Sequence, residues 1–352
     1  MKNKIVPIVF SCDDNYIPFL AVALESLEEN ASKNFEYDIK VLHANSINAE
    51  NQKRILDEYN TGVFHIVFDD ITSMVESLNN KFHTRDYYSK ATYYRVFIPN
   101  LYKQYNKVLY LDSDIVVKGD ISEMYNIDIG NNLIGATTDE FVYKTPVFAS
   151  YFTNRVTVKR VKDYFNAGII IMNCKRMREV DFEGKFVDLI TKVTFNVAQD
   201  QDYLNAICKG KVKYIDGTWD KMPFADEKIK EKDVKIFHFN LDLKPWQKDG
   251  VPYENNFWHY AKTSGYYDAV MKIKESWTKE RIAVSEKQTA DLVKMAVEQG
   301  ADVVQNAIIS KIIDSIWEEK DSPIAKTDVQ TKTVDAEFDL LEAITQTKKQ
   351  KN

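Results

Sequence analysis

The sequence predicts an α/β fold built on a mainly parallel sheet, and three observations carry the prediction. From residue 5 to about residue 260, short and nearly unbroken apolar runs alternate with longer amphipathic stretches. That is the pattern of βαβ units, whose strands are covered on both faces. Several of the runs end directly in acidic or amide residues, and in an open α/β sheet the ligands gather at the carboxyl ends of strands. Finally, 352 residues that are 44% hydrophobic and 12% aromatic supply a sizeable core, enough for roughly two domains or one large domain with an appendage.

The elements follow in order. Residues 5–10 read as a buried strand ending at Ser11-Cys12-Asp13-Asp14-Asn15. Pro18 opens a helical pattern with Leu20, Leu24 and Leu27 on one face, closing near Asn30. Residues 37–43 form a second strand, 49–59 a second helix closed by Asn60-Thr61-Gly62, and 63–68 a third strand. Residues 89–98 are expected to be helical and stopped by Pro99. Residues 107–111 are a strand running into Asp112-Ser113-Asp114, after which residues 115–117 resume the apolar pattern. A strand at 134–138 ends in Asp139, and the solid apolar run after Asn166-Ala167-Gly168 gives residues 165–173 the character of a central strand. Residues 186–193 and 201–207 look helical, and 234–239 is a last strand.

Beyond Gly265 the texture changes to a charge-rich, aromatic-poor stretch of helix formers up to about Glu319. Ile308, Ile312 and Ile316, with Ile309 and Ile313 beside them and Trp317 at the end, form an apolar stripe at helical spacing that Pro323 terminates. Packing against the preceding domain or another subunit is the favoured role of this stripe, with peripheral membrane docking the alternative. Its polar face carries Asp314, Glu318 and Glu319 as well as Lys311, which suits an anionic bilayer poorly. The expected division is therefore a domain at 1–262, a helical extension at 263–320, and a polar, flexible tail at 321–352 that includes an amphipathic segment at 338–344 and a basic end at 348–351.

Composition excludes several classes. Lys and Arg number 47 against 53 Asp and Glu, a net charge of −6, so an electrostatic nucleic-acid binder is disfavoured. Cys12, Cys174 and Cys208 are too few and too scattered for a disulfide scaffold or zinc knuckle, and read as buried thiols in a reducing compartment. No apolar run reaches the length of a membrane span. The start of the chain has only a short apolar run before Asp13-Asp14, unlike a signal peptide. The expectation is a cytoplasmic enzyme.

Some residues carry chemistry by type and place. Two carboxylates two apart, Asp112 and Asp114, repel unless a cation or donors compensate. At a strand end they either hold a divalent metal through hard oxygens or form a solvated turn. His238, after an apolar strand, is a suitable ligand beside carboxylates, and Lys244 a suitable phosphate partner; alternatively they are a core-edge histidine and a surface lysine. Asp13 and Asn15 could meet a base edge with Tyr16 stacking, or simply cap the following helix. Asn166-Ala167-Gly168 allows close backbone approach, Asp200-Gln201-Asp202 could be a helix cap, and Arg95 could be a surface charge.

As a set these residues resemble the family 8 retaining glycosyltransferases, which include bacterial lipopolysaccharide glucosyl- and galactosyltransferases, plant galactinol synthase and glycogenin. The resemblance spans about residues 4–260. It is carried in order and spacing by Val9 to Tyr16, Ala91-Thr-Tyr-Tyr-Arg95, Leu109-Tyr-Leu-Asp-Ser-Asp114, Phe165-Asn-Ala-Gly-Ile169, Asp200-Gln-Asp202 and His238 through Lys244-Pro-Trp246. It implies a GT-A fold, a Rossmann-like nucleotide-sugar-binding sheet. It implies Asp112 and Asp114, the DxD motif, as ligands of Mn²⁺ (or Mg²⁺), with His238 as the third. Ser11, Asp13, Asn15 and Tyr16 then match a uridine site and Ser113 a ribose contact. Arg95 matches an arginine near the donor sugar and diphosphate, and Lys244 a diphosphate partner. Asn166, Gly168 and Asp200 match donor-sugar contacts, Asp139 an acid near the sugars, and Gln201 the residue beneath the anomeric carbon. One departure is Leu241, where relatives often carry Gly; its backbone N–H survives.

The implied function is metal-dependent, retaining transfer of glucose or galactose from a UDP-sugar to a glycan, lipid-linked or protein acceptor, as in bacterial surface polysaccharide synthesis. The implied location is the cytoplasm, with peripheral membrane contact or self-association through the C-terminal helices as further expectations. Two alternatives stand beside it. A sugar nucleotidyltransferase would be expected to show a Gly-rich basic loop, and residues 11–16 contain neither glycine nor base. A non-catalytic nucleotide-sugar-binding protein would have no need of Asp112, Asp114, His238, Gln201 and Lys244 together.

Overall fold

The computed structural model describes residues 4–318 apart from residue 45 and residues 78–89 and 226–227. Its strands are β1 (Lys4–Ser11), β2 (Phe35–His43), β3 (Phe64–Asp70), β4 (Val108–Leu111), β5 (Ile115–Val117), β6 (Ile134–Thr138), β7 (Phe165–Met172), β8 (Val212–Tyr214) and β9 (Ile236–His238). The helices used below are α1 (Ile17–Asn30), α2 (Ala49–Tyr59), α3 (Phe182–Lys192), α4 (Asp200–Ile207), α5 (Glu254–Thr263), α6 (Tyr267–Glu275), α7 (Lys279–Ala301) and α8 (Val303–Trp317).

Seven strands form one sheet in the order β3-β2-β1-β4-β7-β6-β8. The ladders of β3, β2, β1 and β4 are parallel, as is β6 with β8, whereas β7 runs antiparallel to both β4 and β6. The sheet is thus mostly parallel, with one reversed strand near its centre. Period-2 alternation explains the unbroken apolar runs. Phe10, Leu109, Leu111, Ile169 and Ile171 face a core shared with Leu20, Leu24 and Tyr59 of α1 and α2. Their neighbours Val9, Val108, Tyr110, Ile170 and Met172 face a second core with Phe186, Leu189, Leu204 and Ile313 of α3, α4 and α8. Each fully buried side chain of this kind contributes about 1.5–3 kcal/mol relative to exposure.

The third core, around Phe19, Phe237, Trp246 and Phe257, carries a separate two-stranded ribbon, β5 with β9. Its antiparallel register pairs Ile115 with His238, so the residue after Asp114 lies opposite the histidine. Residues 115–117 and 234–239 therefore do not join the main sheet.

Three sequence expectations change in detail. Pro99 does not end a helix: residues 90–97 form a 3₁₀ helix and Pro99 sits in the first turn of a short α-helix, Ile98–Leu101, where its missing N–H costs nothing; Ser89 lies outside the described residues. α3 begins at Phe182, earlier than expected, because Asp181 caps it by accepting from the Gly184 N–H at 3.3 Å. The apolar face of α8 centres on Ile309, Ile313 and Ile316, which are buried, while Ile308 and Ile312 are only half-buried. The i, i+4, i+7 set is the one that aligns on a helix face. This face packs into the second core, and the Trp317 indole N–H donates to the Ile207 carbonyl at 2.9 Å.

α7 packs against a turn of π-helix at Tyr151–Arg155. Gly300 permits the contact, since a Cβ there would lie 2.6 Å from the Tyr151 nitrogen. The chain through Trp317 forms one compact unit. The expected tail at 321–352 lies outside the described residues. No helix among the described residues is long and apolar enough to cross a membrane.

Candidate active site

A cavity of about 290 Å³ opens at the carboxyl ends of β1 and β4 and the amino end of β7, and every residue named above as a site candidate lines it. The reversed β7 matters here: it delivers Asn166, Ala167 and Gly168 from its first residues to the place where β1 and β4 deliver their last ones. The Asp112 N–H donates to the Gly168 carbonyl at 2.7 Å, stitching the two together.

Asp112, Asp114 and His238 each turn one ligand-type atom to a common point, all within 4.8 Å of one another. Nε2 of His238 is buried, lacks a hydrogen bond, and stands 3.3 Å from Asp114 Oδ1 and 3.7 Å from Asp112 Oδ2. A buried, unsatisfied imidazole nitrogen between two carboxylates fits a divalent cation, which takes just such mixed nitrogen and oxygen donors. Gly168 clears the space: a Cβ on it would lie 2.5 Å from Asp112 Oδ2. Burial alone would lower the His238 pKa, but Asp220 and Asp114 outweigh it and hold the ring at about 10. Burial would likewise raise Asp114, yet Lys244 and His238 keep it well below the usual carboxylate range. Lys244, almost wholly buried, donates to Asp114 Oδ2 and to the Phe239 carbonyl. It is not a surface lysine.

Arg95 is also inside, 3% exposed. Its guanidinium reaches Asp200 at 3.2 Å and Asp112 at 3.4 Å, donates to the Thr92 and Ala167 carbonyls, and lies 4.3 Å from the Tyr110 ring centre. Burial lifts Asp200 to about 6 against the pull of Arg95. At the far end, Asp139 accepts from Asn166 Nδ2 and Gln201 Nε2, both at 3.0 Å, and from the Val142 N–H. Burial is the main cause of its raised pKa, which those donors oppose. Gln201 is pinned at both ends, its amide oxygen accepting from the Ala167 N–H at 2.9 Å. The Asn166 side chain accepts from the Gly168 N–H at 2.8 Å.

At the other end, Asp13 caps the turn Asp14–Tyr16 by accepting from the Asn15 N–H, so capping accounts for one of its oxygens. Burial raises its pKa against those backbone donors. Asn15 is exposed and Tyr16 half-buried, its ring edge-on to Phe19 at 5.3 Å and 5.8 Å from the Lys244 ammonium. Ser11 borders the same mouth, and the buried Ser113 hydroxyl lacks a hydrogen-bond partner. Leu241 adopts φ of 56°, a left-handed conformation that explains why glycine suits this position.

Sequence reasoning did not single out Tyr110, Asp220 or Leu292. The Tyr110 hydroxyl donates to Asp112 Oδ1 at 2.9 Å; its place two residues before Asp112 on a strand was the available signal. Asp220 contacts His238 Nδ1 at 3.0 Å. Leu292 comes from α7 and joins Phe148, Phe152 and Val197 in the apolar wall beyond Gln201.

The family model described as "Glycosyl transferase family 8" matches residues 7–250. A provisionally described glycosyltransferase of Haemophilus influenzae is 30% identical over 265 residues, 73% of this chain and 74% of that protein. Among solved structures, the galactosyltransferase LgtC in complex with donor and acceptor sugar analogs superposes with a TM-score of 0.61 at 28% identity, covering 73% of this chain and 96% of LgtC. The apo bifunctional glycosyltransferase WbbM gives a TM-score of 0.65 at 27% identity; the match covers 78% of this chain but about half of WbbM, 52%.

Proposed function

Because the chain belongs to glycosyl transferase family 8, we propose that it moves a hexose, glucose or galactose, from a UDP-sugar to a sugar hydroxyl, with a divalent metal and with retention at the anomeric carbon. The observation that carries this reading is the span of one cavity: the Asp112–Asp114–His238 cluster and Lys244 at one end, and the Asp139–Gln201–Asn166 network at the other. The likeness to LgtC, seen with both donor and acceptor sugar analogs, supports a sugar acceptor. The resemblance to lipopolysaccharide enzymes supports a bacterial surface glycan.

Asp112, Asp114 and His238 would hold Mn²⁺ or Mg²⁺, which when bound supplies Lewis-acid neutralisation of the diphosphate. The chain's own residues do the rest. Tyr16 offers a stacking face and Asn15 an amide for the uracil, with Ser113 and Ser11 at the ribose. Lys244 stabilises charge on the departing UDP, and a preorganised cation in a dry site does so without reorganisation. Arg95 holds Asp112 and Asp200 in place around the sugar.

Transfer on the front face is favoured because neither candidate carboxylate stands free of a cation or donors. Asp200 is paired with Arg95, and Asp139 accepts from Asn166, Gln201 and the Val142 N–H. The C1–O bond to UDP breaks with its electron pair going to the diphosphate. The acceptor oxygen bonds C1 from the same face, and its proton passes to the leaving phosphate oxygen. The amide oxygen of Gln201 supports the cationic carbon.

Calorimetric titration of UDP, UDP-glucose and UDP-galactose, each with Mn²⁺ and then with EDTA, tests the reading without an acceptor. Manganese-dependent binding with a preference for one hexose is the expected result. Absence of uridine nucleotide binding in both conditions overturns it.

A further inference from the structure

Asp220 belongs to no motif legible in the sequence, yet its side chain is wholly buried against the histidine of the metal cluster. We propose that Asp220 is a positioning residue whose carboxylate fixes the His238 ring with Nδ1 protonated and Nε2 aimed between Asp112 and Asp114. The inference rests on the metal-dependent reading above.

Three features make the arrangement a built one. First, the backbone carries Asp220 alongside β9. The Lys221 N–H donates to the Ile236 carbonyl at 2.9 Å, and the His238 N–H donates to the Lys221 carbonyl at 3.0 Å. Second, the segment is anchored on its far side, where the Lys221 ammonium bridges both oxygens of Glu140 at 2.8 Å and reaches the Phe224 carbonyl at 2.6 Å. Third, both carboxylate oxygens are engaged: Oδ1 lies 3.0 Å from His238 Nδ1 and Oδ2 accepts from the Thr137 hydroxyl at 3.2 Å.

The chemistry then has one solution. An ionised carboxylate only accepts, so the ring nitrogen facing it must carry hydrogen. A cation entering the cluster would displace the proton from the other nitrogen, Nε2, and the neutral ring would then present its lone pair there. A carboxylate behind a metal-binding histidine also makes it a stronger donor, and losing such a partner commonly costs about 10–100-fold in metal affinity. Without Asp220 the ring could rotate or take the other tautomer, and Nε2 would no longer be committed to the site.

The test is Mn²⁺ binding to the full chain at a fixed saturating concentration of UDP, read from the electron paramagnetic resonance signal of free aquated Mn²⁺. It compares the unaltered protein with Asp220→Ala, Asp220→Asn and Thr137→Val, with thermal unfolding of each metal-free protein in parallel. Asp220→Ala is expected to weaken Mn²⁺ by about 10–100-fold. Asp220→Asn, which keeps an acceptor but not the charge, should weaken it less, and Thr137→Val least. That graded rescue would not follow from a merely structural role, which would lower the melting temperature and leave the affinity of the folded protein unchanged. Unchanged Mn²⁺ affinity in folded Asp220→Ala overturns the inference; where that variant does not fold, unchanged affinity in Asp220→Asn does so. Failure of the unaltered protein to bind Mn²⁺ with UDP instead overturns the metal-dependent reading, and this inference with it.

Discussion

Leu241 shows how a single residue records a conflict between backbone and side chain. It lines the cavity in a left-handed conformation, which costs a non-glycine residue about 1–2 kcal/mol. Leu241→Gly is therefore expected to raise the urea midpoint by the equivalent of about 0.5–1 kcal/mol, after the extra chain entropy of glycine is subtracted. A lower midpoint would mean that the leucine's packing outweighs the strain. Asp114→Asn keeps the shape and an acceptor for Lys244 while removing the charge; circular dichroism should show an intact fold, and Mn²⁺-dependent turnover should fall to background. Asp202 carries a pH prediction. Burial lifts it to about 6, against donors from the Ala198 N–H and the Tyr151 and Tyr164 hydroxyls. Its folded pKa exceeds the unfolded value, so its contribution is full below about pH 4 and is lost as pH rises through 6. Relative to Asp202→Asn, the native protein should lose about 2–3 kcal/mol across that window, measured by denaturant unfolding at each pH. Single residues were legible where a motif gathers them, as at Asp112 to Asp114. They were illegible where tertiary pairing does: Asp220 and His238 stand 18 positions apart in the sequence, and the backbone contacts beside β9 bring their side chains together.

At the scale of elements, the strands buried on both faces could be read directly, because burial on both faces leaves no polar positions to break the run. Every residue of β7 is buried, and its apolar character is visible in the sequence. Its direction is not, since apolar content carries no sign for parallel or antiparallel pairing. The three-residue strands β5, β8 and β9 are too short for any periodicity to mark as separate ladders. α7 offers an element-scale test. Gly300→Val places a branched side chain where even a Cβ meets the Tyr151 backbone, and relieving that overlap should cost about 1–3 kcal/mol. The expected result is a lower melting temperature with Mn²⁺–UDP affinity nearly unchanged, because α7 borders the apolar wall rather than the end proposed to take the nucleotide. Loss of UDP binding at temperatures where the variant is folded would show that α7 also shapes the donor site.

At the scale of the whole molecule, the end of the cavity proposed to take the nucleotide is assembled from pieces far apart in sequence, residues 11–16, 112–114 and 238–244. A ligand that joins them should stabilise the entire unit through Trp317. At a free Mn²⁺–UDP concentration about 100 times its dissociation constant, linkage gives about 2.7 kcal/mol, seen as a melting temperature several degrees higher that EDTA reverses. The order of synthesis adds a consequence of the α7 contact. A nascent chain emerges from its N-terminus at about 5–20 residues per second, so every residue proposed to meet the nucleotide has been made by Lys244. Leu292, and the helix that shelters Phe148 and Phe152, follow only later. For those seconds the ribosome-bound chain would leave uncovered whatever face of this aromatic cluster α7 covers in the finished molecule, a hazard for any chain that stops early.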